Sequence, residues 1–197
     1  IVAQAVCQRV IKPRALLPFG LDRDRARGSF VGWIGKLWFA PNDLKRLANQ
    51  HGMDGVYLPY WSYDSNTTTR YSGERGEYYY VSETYRDDKG ETQTRQVRHT
   101  RWYPASGTVQ VNFDDVLVCG SQTLPRPLLE KLEPWDLPEL RAFDAGYLSG
   151  FVAERYKIGL EAGFVTAEAR MVPKIRSAIE SDIGGDDQRI GSMNVRH

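Results

Sequence analysis

Between residues 55 and 121 the sequence is dense in Tyr, Val, Thr and Trp, opening GVYLPYWSYDSNTTTRYSGERGEYYYVSETY and closing RWYPASGTVQVNFDDVLVCGS. Rings and β-branched side chains crowd the preceding turn of a helix but fit a pleated, half-buried surface. The tract therefore predicts an antiparallel sheet, and the flanks on both sides predict helices packed against it, an α+β fold. Residues 56–63, VYLPYWSY, are apolar on both faces and predict a buried strand, and Asp64, Ser65 and Asn66 then supply turn chemistry. Residues 67–85 predict an outgoing strand interrupted by Gly73 and Gly76, with DDKGE at 87–91 as a hairpin tip and Gly90 available for positive φ. Residues 92–103 return with alternating Thr, Gln, Arg and Val and no apolar face of their own, so the outer half of this long hairpin is expected to protrude as a solvated arm. A turn is expected over residues 104–107, then a strand alternating through Val109, Val111 and Phe113 with a bulge at Asp114 and Asp115.

The flanks read differently. Pro13 and Pro18 confine any strand in VIKPRALLPFGL to a short edge piece over 15–19. Phe30, Ile34, Leu37 and Trp38 recur at helical spacing over 22–39, and Pro41 or Asn42 opens a second helix closed by Gly52. After residue 121, Leu128, Leu129 and Leu132 mark a short helix, and Trp135 sits in a loop expected to cover core. Two further helices are expected, over 151–162 and over 167–183, the second with Pro173 either kinking it or marking its first turn, and Gly184-Gly185 as its stop. The polar tail 186–197 begins like a strand with no evident partner. The whole of 1–197 is taken as a single α+β domain, with 10–54 as strand and two helices, 55–121 as sheet and 122–197 as helical segment and tail; the start at Ile1 points to a fragment of a longer chain.

Charge narrows the functional classes. Lys plus Arg number 26 against 25 Asp plus Glu, so no long-range field draws the chain onto nucleic acid or anionic lipid. No apolar run approaches the ~20 residues of a membrane span, and no charged-then-apolar leader is seen, which predicts a cytoplasmic protein. Two cysteines, Cys7 and Cys119, are too few for a disulfide scaffold or a four-ligand zinc site; buried thiols are expected, with a Cys7–Cys119 bridge as the alternative.

Three stretches, GVYLPYWSYDSNTTTRYSGERGEYYYVSETY, TRQVRHTRWYPASGTVQVNFDDVLV and DIGGDDQRI, together resemble a family of bacterial zinc-ribbon-containing proteins often labelled primosomal protein N prime-like helicase. The resemblance extends over about residues 10–190. In that family Cys-x-x-Cys ribbons precede this region and a strand-rich segment follows it. Neither is found here, so the resemblance implies a shared fold and a fragment of a longer chain, and carries over no catalytic or metal-binding residue. A helicase motor needs a Gly-rich phosphate loop ending in Lys and Ser or Thr, and no G-x-x-x-x-G-K-[ST] occurs.

Each remaining constellation has a bland competitor. Cys119 with His99 could pair a thiol nucleophile with its base, yet one ends an apolar strand and the other lies on the polar hairpin. Asp114 and Asp115, with Glu74 and Glu77, could hold a cation, but adjacent acids in a strand point to opposite faces. Tyr57, Tyr60, Trp61 and Tyr63 could line a pocket or simply form aromatic core, and Asn66-Thr67-Thr68, a formal glycosylation acceptor, is turn chemistry. On the hairpin, seven basic residues interleave with Tyr and Trp, the mixture used on single-stranded nucleic acid, while six acids oppose them. The reading that follows is non-enzymatic: an interaction or scaffold module, without metal or cofactor, offering Tyr78, Tyr80, Arg95, Arg98, Arg101 and Trp102 to another protein or to its own copies, with nucleic acid as the alternative partner.

Overall fold

The structure is a computed structural model that describes residues 11–37, 54–86 and 88–197. The chain gathers into two compact units, Ile1–Tyr60 with Cys119–Gly159 and Trp61–Val118 with Leu160–His197. The helix expected after Pro41 falls outside the described residues.

The second unit carries the antiparallel sheet. Strands β3 (Tyr60–Arg86) and β4 (Thr92–Cys119) form one long hairpin, and β7 (Asp187–Arg196) pairs antiparallel with β3, giving the order β4-β3-β7. The turns expected at 64–66 and 104–107 do not form; both strands run straight through. The reason is the two-residue period. Trp61, Tyr63, Thr67, Thr69 and Tyr71 are buried while Ser62, Asp64, Asn66 and Arg70 face water, so Asp64 and Asn66 occupy the outward positions of an unbroken alternation. Pro104 is tolerated because β4 is the edge of the sheet, where a missing N–H costs no ladder bond. The Thr67 hydroxyl donates to the Val111 carbonyl at 2.9 Å, so the one polar atom this buried side chain brings inward is paired.

The C-terminal helix covers the inward face. Instead of two helices, one helix, Leu160–Ile183, runs from Leu160 through Pro173, and residues 151–159 hold only a two-residue strand and irregular chain. Gly163, Ala167, Met171, Ile175, Ile179 and Ile183 form its buried row, every fourth residue without exception. Steps of four overshoot the 3.6-residue turn by about 40° each, so the row winds round the helix and suits a sheet that itself twists. Pro173 lies on the exposed side, where water reaches the carbonyl it leaves unbonded. Gly184 and Gly185, at φ 64 and 80, turn the chain sharply into β7. The polar tail thereby finds its partner: Thr68 to Gly76 pair with Arg196 to Asp187, with one irregularity between Ser72 and Gly73.

In the first unit, β1 (Ala15–Leu16) pairs antiparallel with β5 (Arg141–Ala142) and β2 (Val56–Tyr57) pairs in parallel with β6 (Val152–Ala153). Helix α1 (Arg23–Gly35) is capped by Asp22, whose carboxylate accepts from the Arg25 N–H at 2.8 Å. A short helix, α2 (Arg126–Glu130), buries Leu129, and the helix Leu160–Ile183 is α3. Phe19 stacks on Phe151 at 4.6 Å and meets Tyr57 edge-on at 4.9 Å, a small, partly exposed aromatic cluster. Among the described residues no helix is long and apolar enough to cross a membrane.

Gly73 leaves no room for a side chain between β3 and β7, because a β-carbon there would overlap the Arg189 carbonyl oxygen, a backbone atom that cannot swing aside. Gly73→Ala is expected to lower stability by about 2 kcal/mol or more, read as a shift of the urea midpoint at constant slope. An unshifted midpoint would mean that β7 is not held in this register.

Candidate interaction surface

The hairpin outlasts its cover. Helix α3 ends at Ile183 and the β7 ladder ends at the Gly76–Asp187 pair, but β3 continues to Arg86 and β4 begins at Thr92. Among the described residues, two strands therefore run on beyond Gly76 without helix or third strand, turning at a tip where Gly90 has φ 81. Gln96 bonds Ser82 at 2.8 Å, Arg95 bonds Glu83 at 3.1 Å and the His99 ring stacks on Tyr79 at 5.5 Å. All three pairs belong to the same register as Thr67–Val111 at the base, so the arm is an uninterrupted extension of the sheet.

Alternation then sorts the arm into two faces. One continues the side that α3 covers, where Tyr71 donates to Asp182 at 2.5 Å and Gly73 lies under Ile183. This helix-side face carries Tyr79, Val81, Glu83 and Tyr85 from β3 and Arg95, Val97, His99 and Arg101 from β4. Arg101 lies 5.2 Å over the Tyr79 ring and Arg95 5.6 Å over Tyr85. The outer face carries Tyr78, Tyr80, Arg98 and Trp102, with Arg98 4.2 Å over Tyr78 and Arg189, from β7, 3.7 Å over Trp102. The arm is exposed on both faces: Tyr80 is 64% accessible, Tyr85 46% and Val81 40%.

Where α3 stops, an open cavity of about 580 Å³ lies between its last turn and the sheet, lined by Tyr71, Arg75, Glu77, Tyr103, Pro104, Ala105, Ser106, Asp182 and Ile183. Burial, reinforced by the Asp182 carboxylate, pushes the Tyr71 hydroxyl up to about 12, which keeps it a proton donor at every physiological pH. Arg75 pairs with Glu77 at 2.9 Å across the mouth.

The expected site residues are thus divided. Tyr78, Tyr80, Arg98 and Trp102 share the outer face, whereas Arg95 and Arg101 lie on the helix-side face; they do not make one surface. Cys119 and His99 are not neighbours: His99 lies beside Tyr79 and Glu83, while Cys119 ends β4 in the first unit near Tyr60, Ser121 and Glu154. Glu74 and Glu77 pair with Arg189 and Arg75 and stand apart from Asp114 and Asp115. The expected irregularity at Asp115 is present as a φ of 53, and it undoes the strict alternation that separated the two acids: carboxylate oxygens of Asp64, Asp114 and Asp115 lie within 4.8 Å of one another, all exposed. Asp64 accepts from the Asp115 N–H at 3.0 Å, and Ser62 donates to the Asp115 carboxylate at 2.7 Å. Trp61 and Tyr63 are buried, and Tyr60 meets Trp135 edge-on at 5.7 Å.

Two arrangements have no counterpart in the sequence reading. Arg189 reaches Trp102 only because β7 joins the sheet. His197 places Nδ1 2.9 Å from the Ser65 hydroxyl and Nε2 3.2 Å from Glu168, tying the end of β7 to β3 and α3, with Phe164 edge-on to the imidazole at 5.2 Å. A hydroxyl, an imidazole and a carboxylate in that order have the sequence of a relay, and no spacing in the chain signals it because the three residues come from three separate elements.

Comparison with known proteins adds one relative. The chain is 24% identical over 186 residues to the uncharacterized protein YdjG of Bacillus subtilis, a match covering 94% of this chain and 51% of that protein. The chain thus spans about half the length of that relative. No family model matches the chain, and no solved structure matches it.

Burial pushes the Cys119 thiol above the ordinary thiol range, with Glu154 and Glu133 adding to the rise and hydrogen bonds from Ser121 and Tyr60 partly opposing it. A raised value leaves less thiolate at neutral pH, and thiolate is the reactive species. In a Cys7→Ser chain, a disulfide reagent at pH 7 is expected to label Cys119 at least ~10-fold more slowly in the folded than in the urea-unfolded state, the folded rate climbing as pH rises. Fast stoichiometric labelling of the folded chain at pH 7 would restore Cys119 as a nucleophile.

Proposed function

We propose that the chain is a non-enzymatic protein-interaction or assembly module of the cell interior, and that the arm is the part another chain grips. The observation that carries this reading is an arm held in one register yet uncovered on both faces, exposing Tyr79, Tyr80, Val81 and Tyr85 together. Exposed aromatic residues on a rigid frame are what protein interfaces enrich, since a tyrosine contributes large contact area at little cost in side-chain entropy. Among the described residues both strand edges of the arm are unpaired beyond Gly76, so strand addition is open to it as well. The match to about half of a longer Bacillus protein supports, within this reading, a module that works beside further segments.

Removing residues 83–95 and joining Ser82 to Gln96 through Asn-Gly preserves the hairpin register and its turn chemistry. The shortened chain is expected to keep its circular dichroism and melting temperature but to lose association, measured by light scattering of the purified chain and by co-purification from the native host. Unchanged mass and unchanged partners would count against the arm as the gripping surface.

A second reading, single-stranded nucleic acid, is favoured by the outer face alone. There Tyr78 and Tyr80 lie beside Arg98, and the strand residues of that face from Tyr78 to the tip are uncharged or basic. Stacking on such rings contributes about 1–3 kcal/mol per base, and phosphate contacts make binding steeply salt-dependent. If this reading holds, Tyr80→Ala and Arg98→Ala weaken binding of an oligothymidylate in fluorescence anisotropy, while Arg95→Ala and Arg101→Ala, on the other face, leave it unchanged. No binding by the full chain at 50 mM salt, or equal loss from all four variants, would end it.

A further inference from the structure

We propose that β7 pairs antiparallel with β7 of a second copy along its free edge, joining two three-stranded sheets into one about a two-fold axis perpendicular to them. The inference is independent of the arm. β7 is the outer strand in the order β4-β3-β7, and among the described residues no strand pairs with its other edge. The helix leans away from it: Arg170 donates to the Leu117 carbonyl at 2.6 Å and Lys174 lies 5.1 Å from the centre of the Phe113 ring, both on β4. The buried strand side chains accordingly belong to β3 and β4, and no residue of β7 is buried. Ile190, Met193 and Val195 are left half-exposed at the edge of the sheet.

The irregularity in β7 selects the register. Residues directly opposite in an antiparallel pair share a face. Val195, Met193, Ile190 and Gln188 stand opposite Thr69, Tyr71, Gly73 and Arg75 on the side of α3, while Arg196, Asn194, Arg189 and Asp187 stand on the outer side. Gly191 is the extra residue, so inward positions carry even numbers before it and odd numbers after it. A strand with such a step mismatches its own copy in other registers, because faces that agree at one place disagree at another. Only pairing centred between Gly191 and Ser192 sets inward against inward and outer against outer at both ends. Ile190 then meets the partner's Met193, and Asp187 meets the partner's Arg196, each contact occurring twice. These two charges are free to do so: among the described residues neither makes an ion pair, and Asp187 accepts the Gln188 N–H at 2.9 Å, a backbone contact that leaves its charge unmatched. Sliding the copies by two residues sets Arg189 against Arg196 instead, which repulsion disfavours. His197, bonded to Ser65 and Glu168, holds one end of the strand in place before a partner arrives. The helices do not compete for space. With α3 over β3 and β4 its axis stands at least one strand spacing from β7, so the two axes lie about 14 Å apart or more, beyond the roughly 8–10 Å at which helices pack.

The test uses the full chain and two variants. Asp187→Arg and Arg196→Asp each set like charges at both ends of the seam, and mixing the two variants matches both ends again. Sedimentation velocity from about 5 to about 200 μM is expected to show the wild type dimerising, each variant alone weakened at least ~10-fold, and the equimolar mixture recovering a heterodimer. Circular dichroism verifies that each variant is folded. Hydrogen exchange of the wild type decides without any variant: amides on the free edge of β7 are expected to exchange at least ~10-fold more slowly at about 200 μM than at about 5 μM. A monomeric wild type, a dimer whose β7 amides exchange at the same rate at both concentrations, or a mixture of folded variants that stays monomeric would overturn the proposal. The chain shortened at the arm separates this inference from the reading above, since it is expected to lose the associations that depend on the arm and to keep this dimer. A shortened chain that is monomeric assigns the wild-type dimer to the arm and removes this inference alone. A shortened chain that keeps its dimer and every partner from the host removes the arm reading alone.

Discussion

The sheet and its helix meet along two different periods, and the rest of the second unit follows from how they are reconciled. Strand residues repeat every two and helix residues every 3.6, and a row of every fourth helix residue drifts about 40° per step, so it follows a sheet that twists rather than a flat one. Here the helix buries every fourth residue from Gly163 to Ile183, a row that winds as the sheet twists, and the contact is kept for the full length of α3. Gly163 opens the row with no side chain because Tyr63 and Trp61 already fill that space. Ile183 closes it against Gly73. The length of the helix thereby decides where the sheet stops being core and becomes an arm.

That boundary explains the change in composition along β3 and β4. Below Gly76 the buried inward positions are Trp61, Tyr63, Thr67, Thr69 and Tyr71 on β3 and Val111 and Phe113 on β4. Above it the same inward column reads Glu77, Tyr79, Val81, Glu83 and Tyr85, mixed in polarity because α3 has ended. A ribbon of two strands with no third layer is marginal in water, and the arm meets that difficulty with cross-strand pairs: Glu83 with Arg95, Ser82 with Gln96, Tyr79 with His99. Each such exposed pair contributes only tenths of a kcal/mol, so rigidity comes from having many in one register, continuous with a core that fixes it.

How much of this could be read beforehand follows the range of the interaction. The α+β class, the hairpin, its tip at Gly90, the irregularity at Asp115 and the polar outer arm rest on neighbours in sequence and were legible. The turns expected at Asp64–Asn66 and Pro104–Gly107 were not formed, because local turn chemistry yields to a burial pattern that extends over many residues. Pro173 posed the same problem in a helix, and the exposed side of α3 resolved it. The partner of the tail was not legible, since strand pairing across 120 residues leaves no local trace. For the candidate surface, the residue types were legible and their grouping was not: Arg95, Arg98 and Arg101 look alike in a row, yet one faces away from the other two, and only the register shows which.

The same reasoning changes what an almost neutral chain implies. A net charge of +1 over 197 residues excludes a strong overall field, and six acids against seven basic residues on the hairpin look like simple mutual neutralisation. Neutrality by column is a different matter from neutrality by mixture. When acids occupy one strand of a face and basic residues the other, the sum is near zero while the pattern has a direction. Surface ion pairs contribute little to the stability of one chain, but as a repeated pattern they set which surfaces fit together and in what register. Helix α3 and β7 end before the arm begins, so cross-strand pairs rather than burial hold its two strands together.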